Sequence, residues 1–257
     1  MTRSPNLALV ALLVAALQAA GTVAATAETD AGSAAIDFLA ANRAQEAGPI
    51  GDSVLASEPV HTMIVEASAY FPQLGAAMIA TMRETMATAT SAADFAAMQA
   101  EIQSLHQPIY QALYQAPDAV LVQLLDDQLA LVGAMRQNPS LCARVLTEGY
   151  ATLAEGERGV TPAMITAVFH HRYGFAAQYM GSAPHRGEVT EADLQAQYEA
   201  FRAAGVDEEW LDRIDTFDDR DPQLCQTFHE YLTIVRDADF PGADRLRAVE
   251  AILRPVL

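Results

Sequence analysis

Val120-Leu121-Val122-Gln123-Leu124-Leu125-Asp126-Asp127-Gln128-Leu129-Ala130-Leu131-Val132-Gly133-Ala134-Met135 is the stretch on which the fold turns. At 100° per residue, Val120, Leu124, Leu131 and Met135 share one side of a helix, and Leu121, Leu125, Leu129 and Val132 widen the apolar arc past half the circumference. Gln123, Asp126 and Asp127 remain as the exposed strip. A helix that is apolar over so much of its surface must be surrounded by others. This predicts an all-α, single globular multi-helix assembly rather than an extended coiled coil.

Reading outward, apolar residues recur at three- and four-residue intervals from Ser57 to the C-terminus, and strand-like alternation is nearly absent. First-turn amides find acceptors or prolines at Ser91 with Asp94, Asn138-Pro139, Thr161-Pro162, Thr190 and Asp221-Pro222. Breaks fall at Pro72, Pro108, Gly149, Gly181, Gly205 and Pro241-Gly242. The pattern predicts about ten short to medium helices over 57–70, 72–88, 91–105, 108–115, 118–136, 139–148, 161–180, 190–204, 207–216, 222–236 and 242–254. Asn138-Pro139-Ser140-Leu141-Cys142 and Asp221-Pro222-Gln223-Leu224-Cys225 echo one another as helix starts, each with a cysteine late in the first turn. Their flanks do not align as a duplication.

Upstream, residues 26–56 are small and polar around one short helical stretch, Ala34 to Ala47, and read as a loosely attached N-terminal arm before a helical domain at 57–257. Residues 1–25 have the layout of a signal peptide: Arg3, an apolar run from Leu7 to Leu17, then Gly21, Ala24 and Ala25, with small residues that allow cleavage after Val23-Ala24-Ala25 or after Ala25-Thr26-Ala27, the former being favoured. The run is shorter than the roughly 20 residues that span a bilayer, and no cysteine follows it to accept a lipid. No later run has membrane-spanning length. The expected product is exported, to the periplasm in a Gram-negative cell and otherwise to the medium.

Removing that segment takes away Arg3 and none of the 33 acidic residues, which moves the formal charge from −18 to −19. Nucleic acid is excluded as a partner, because binding phosphates needs clustered cations. A basic protein fits the charge better. The chain contains no lysine. There is therefore no Walker lysine, Schiff-base lysine or Ser-x-x-Lys nucleophile pair.

Cys142 lies among Leu141, Val145 and Leu146 on its helix, and Cys225 borders the face of Leu224, Phe228 and Leu232, so both point inward. In an oxidising compartment two inward cysteines predict a disulfide. The alternative is a thiolate–imidazole pair, or half a metal site, formed by Cys225 with His229 one turn later. No third Cys or His stands at ligand spacing beside them, and neither a metal nor another cofactor is expected.

Phe169-His170-His171-Arg172-Tyr173 is the densest cluster of functional side-chain types. Arg172 falls in the middle of an apolar arc, His171 at its edge, and His170 faces away. A guanidinium so placed either bridges to a carboxylate in the core or snorkels out past the aromatics. The functional alternative is an anion- or carboxylate-binding pocket made by His171, Arg172, Tyr173 and Tyr179. The acidic stretch from Asp207 to Asp221 lacks the order of a calcium loop and reads as a solvated, helix-starting surface, with Trp210 as a core anchor or a contact residue.

Gly51-Asp52-Ser53-Val54 resembles the nucleophile block of GDSL-type esterases. That block should follow a hydrophobic strand and be completed by a late Asp-x-x-His, but Ala44 to Ile50 is no strand and none of the six histidines has Asp three residues before it. The match is rejected. There is likewise no His-Glu-x-x-His motif and no glycine-rich nucleotide loop. With no assembled catalytic signature, the expected role is that of a non-enzymatic envelope protein that binds another macromolecule through its acidic surface. The alternative is a small-anion binder or an enzyme using the Arg172 and His171 pocket.

Overall fold

Residues 58–148, 160–182, 186–216, 218 and 220–253 are described by the computed structural model, so the signal segment, the arm and the Gly51-Asp52-Ser53-Val54 block lie outside the described residues. Among the described residues there are eleven helices and no strand. They are α1 (Glu58–Tyr70), α2 (Pro72–Thr88), α3 (Ala92–Leu105), α4 (Gln107–Tyr114), α5 (Asp118–Met135) and α6 (Pro139–Glu148). These are followed by α7 (Pro162–Tyr179), α8 (Glu191–Ala203), α9 (Glu208–Thr216), α10 (Leu224–Asp237) and α11 (Ala243–Leu253). The protein is all-α, as the spacing of its apolar residues predicts. None of these helices is long and apolar enough to cross a membrane.

The described residues group into two compact units, 76–107 and 58–75 with 108–253. In the first, Met78, Met82 and Ala89 are buried, and Asp94 accepts from the Thr90 and Ser91 amides at 2.6 and 2.8 Å to hold the start of α3. At the other end of α3 the buried His106 ring donates from Nδ1 to the Ile102 carbonyl at 2.7 Å.

In the second unit α5 is the hub, packed against α6, α7, α10 and α11. Leu121, Leu124, Leu125, Leu131, Val132 and Met135 are all buried. Each contributes roughly 1.5–3 kcal/mol relative to an exposed side chain. The strip expected to be exposed is instead half-buried, because the surrounding helices cover it too. Its polar groups are satisfied across helices: Asp126 accepts from Arg236 Nε at 2.9 Å, and Asp127 meets His171. Gln128 is buried within the apolar arc, and its amide donates to the Ala251 carbonyl at 3.3 Å.

Helix starts follow the predicted residues with one instructive shift. Thr190 and Asp193 form a reciprocal capping box at α8, and Asn138 Oδ1 accepts from the Leu141 amide at 3.2 Å at α6. At α10, Asp221 Oδ1 accepts from the Gln223 amide at 2.8 Å, and the Asp221 carbonyl accepts from Leu224 at 3.1 Å. A turn at 221–224 therefore precedes the helix, which begins at Leu224 and not at Pro222.

Candidate functional site

Helix α7 carries the four residues singled out in the sequence, starting from Thr161 in extended conformation and Pro162 in the first turn. Ile165, Val168, Phe169, Arg172, Tyr173 and Ala176 are buried, so the guanidinium does sit within an apolar face. Its Nη2 donates to the Ala251 carbonyl at 3.0 Å, in the last turn of α11. That is neither a carboxylate partner nor an exit to water. The last carbonyls of a helix lack intrahelical donors and carry its partial negative charge, so the guanidinium supplies both the missing donor and the opposing charge.

The other three residues have contacts of their own. Tyr173 is fully buried, stacked on Phe169 at 6.2 Å and edge-on to Phe71 at 6.4 Å, and burial pushes its phenol above the ordinary range. His171 is half-exposed. Its Nδ1 lies 2.7 Å from Asp127 Oδ2, and its ring stacks on Phe175 at 5.6 Å. Burial pushes the Asp127 carboxyl up, against the lowering effect of His171, and its second oxygen accepts from Gln123 at 3.2 Å. Tyr179 stands two turns beyond His171, about 12 Å along the axis, and its hydroxyl accepts from Gln178 at 3.3 Å. His171 and Tyr179 are thus engaged by Asp127 and Gln178, while the buried Tyr173 feels the charge of Arg172.

What it does bring together on this surface is a pair of imidazole–carboxylate contacts. Beside His171–Asp127, His170 Nδ1 lies 3.0 Å from Glu66 Oε2, with the Tyr70 hydroxyl 3.2 Å from both ring nitrogens. Gly174 leaves room for this contact, since a β-carbon there would stand 3.2 Å from the Tyr70 hydroxyl and the ring would have to give by a few tenths of an ångström. The imidazole ring centres are 6.0 Å apart. The two pairs pin α7 to α1 and α5.

Cys142 and Cys225 are joined, with Cα atoms 5.7 Å apart, and both are buried. Cys225 consequently has no thiolate to share with His229, whose imidazole is pushed below its ordinary range by burial and by Arg136. The two echoing helix starts face each other, since Pro139 and Pro222 line one cleft of about 380 Å³ together with Arg136, Gln137 and Cys225.

In the acidic stretch, Asp207 accepts from the Trp210 amide at 2.8 Å and starts α9. Trp210 is a core anchor: its ring is buried against Phe201 at 5.5 Å, and its Nε1 donates to Glu230 at 3.0 Å. Asp207, Glu208, Glu209, Asp212, Asp215 and Asp218 are exposed. Arg213 is held by Glu209 at 2.5 Å and Asp221 at 2.8 Å. Among the described residues no group of three or more His, Cys, Asp or Glu is arranged to hold a metal ion.

Sequence reasoning missed a set of buried or half-buried arginines. Arg186 pairs with Asp244 at 3.1 Å and donates to the Tyr114 and Ala116 carbonyls. Arg247 forks onto Asp118 through Nε and Nη2, both at 2.8 Å, and donates to the Ala238 carbonyl at 2.7 Å. Arg245 forks onto Asp193 at 2.8 and 2.6 Å, which holds that carboxyl well below the usual range, at about 2. The absence of lysine hinted that arginine would do this work, but partners 52–129 residues away left no local spacing to read. No family model, curated protein or solved structure matches this chain.

Proposed function

We propose that this is an exported, non-enzymatic binding protein of the cell envelope whose acidic face, centred on α9, docks a basic protein partner. The observation that carries the reading is the disposition of α9: Trp210 and Ile214 are turned into the core, which leaves Glu208, Glu209, Asp212 and Asp215 facing solvent with Asp207 and Asp218 beside them. The one arginine of α9 itself, Arg213, is already taken by Glu209 and Asp221. A face of one sign steers a partner of the other, and does so in a salt-dependent way. The Cys142–Cys225 bond supports placing the protein in an oxidising compartment. A pocket built on Arg172 and His171 is less favoured, because the guanidinium is spent on α11 and the imidazole on Asp127.

Photo-crosslinking in the producing cell tests the docking. A crosslinker placed at 212 in the full chain is expected to yield a discrete adduct with a basic protein, and one at Gln73 to yield none. The adduct should disappear on combining Glu208→Gln, Asp212→Asn and Asp215→Asn, and in about 1 M salt, where screening shortens to about 3 Å. Equal adducts from both positions, or indifference to the three neutral substitutions, would sink the reading. Export is tested separately by N-terminal sequencing of the envelope fraction, where a chain starting at Thr26 is expected. Recovery of the protein with Met1 intact in the cytosol would contradict it.

A further inference from the structure

The cleft between the two echoing helix starts carries an arginine in a chain that is acidic overall. Arg186, Arg213, Arg236, Arg245 and Arg247 each hold a carboxylate. Arg136, exposed just past the end of α5, faces a concavity of about 380 Å³, and among the described residues that line it there is no acid. Glu230, the acid whose field reaches His229, has both oxygens engaged, by Trp210 Nε1 and by Gln226 Nε2. The walls beside Arg136 are mixed, with the amides of Gln137 and Gln226 on the polar side and the rings of Pro139 and Pro222 and the disulfide at Cys225 on the apolar side. A volume of this order suits a small organic ligand, roughly 300–1,000 Å³ being usual for such sites.

We propose that this cleft binds a small organic carboxylate, whose anionic head is held by the forked Arg136 guanidinium with the Gln137 amide beside it, and whose apolar body lies against Pro139 and Pro222. A guanidinium presents two parallel N–H donors that match a carboxylate, and such charge-assisted bonds are stronger than neutral ones. This site is separate from the acidic face of α9 and stands or falls without it.

His229 is a built-in reporter. Its ring lies against Gly133, with Nε2 3.6 Å from where a β-carbon would stand, and it feels Arg136 from the end of α5 and Glu230 from its own helix, with Arg136 the stronger. An anion seated on Arg136 cancels part of that repulsion, so occupancy raises the affinity of His229 for protons.

The test is titration of the purified full chain, disulfide intact, with benzoate and with acetate, followed by calorimetry and by the NMR signals of the histidine rings. Saturable benzoate binding is expected, tighter than acetate, with the His229 ring signals moving and its titration midpoint rising while His170 and His171 stay put. Arg136→Gln should weaken binding by about tenfold or more, the worth of one charge-assisted contact. Gln137→Glu, which leaves Arg136 in place and adds a repelling charge to the same wall, should weaken it comparably. Both positions are exposed, so thermal melting checks that either variant is folded, and each decides the question alone. Absence of saturation, equal affinity for benzoate and acetate, undiminished binding in a folded variant, or signals that move at His171 and not at His229 would overturn the proposal.

Discussion

At the scale of single residues, the most constrained site is the meeting of Gly242, Asp193 and Arg245. Gly242 has φ +95°, and a β-carbon there would stand 1.9 Å from Asp193 Oδ1. Gly242→Ala combines a left-handed backbone with displacement of an ion pair that also caps α8. It should cost about 2–4 kcal/mol in urea unfolding. A variant within 0.5 kcal/mol, roughly the scatter of ordinary surface substitutions, would show that the loop before α11 relaxes freely. The Asp193 carboxyl titrates at about 2 in the folded protein, against 3.8 ordinarily, first because Arg245 bonds to it. A folded-state value below the unfolded one contributes stability above about pH 4, and this is lost as pH falls from about 4 to about 2. The contribution is on the order of 1–2 kcal/mol, since solvent reaches Arg245 and screens the pair. Asp193→Asn should therefore be less stable than the parent at neutral pH, with the gap closing towards pH 2. A gap that stays constant through that window would refute the assignment. Asp127, pushed up by burial, acts in the opposite sense, favouring the fold slightly more as it becomes protonated. Beyond the helix start at Thr190 and the break at Pro241-Gly242, none of this was visible in the sequence, because Arg245 lies 52 residues from its partner.

At the scale of elements, helix positions were legible almost throughout, since caps, prolines and three-to-four periodicity are local properties. What was not legible is how helix ends are closed. Arg172 donates to the end of α11, Arg186 to carbonyls at and just past the end of α4, and Arg247 to the last turn of α10 and the residue after it. Three buried or half-buried guanidiniums thus serve helix C-termini, where terminal carbonyls need donors and favour cations. Arg247 adds a fork onto Asp118 in the first turn of α5, so it ties the end of one helix to the start of another. Arg247→Met should cost about 1–3 kcal/mol, discounted for the partial exposure of Asp118. Arg247→Lys should recover less than half of that, because an ammonium cannot make the fork and reach the α10 carbonyls together. Denaturant unfolding of the three proteins measures both. A lysine variant as stable as the parent would mean that charge alone matters, and not the planar geometry.

At the scale of the whole molecule, the sequence located the hub, because a helix apolar around most of its circumference has nowhere to be except among others. It did not locate the neighbours of the hub: the packing of α5 against α6, α7, α10 and α11 depends on side-chain shapes across long sequence separations. The cysteines were the exception, as compartment and helix face together implied a bond between α6 and α10, two helices that also pack directly on each other. That bond closes a loop with a sequence separation of 83. In the chain-entropy account, closing such a loop removes about 4–5 kcal/mol of freedom from the unfolded chain. Typical domains have only about 5–15 kcal/mol in total. Reduction, or the double variant Cys142→Ala with Cys225→Ala, should lower unfolding free energy by most of that amount while leaving helix content near native at low temperature, since the helices are packed by Leu224, Phe228 and the α5 leucines and not by the sulfurs. Urea titrations of the oxidised, reduced and double-alanine proteins, read by far-ultraviolet circular dichroism, make the comparison. Similar losses on reduction and on substitution would place the effect in the lost cross-link, whereas a much larger loss for the alanine pair would place it in the cavity left beside Val132. If the oxidised chain, unfolded without reductant, takes up two alkyl groups on mass measurement, the bond does not exist in the protein as made, and the predicted loss goes with it.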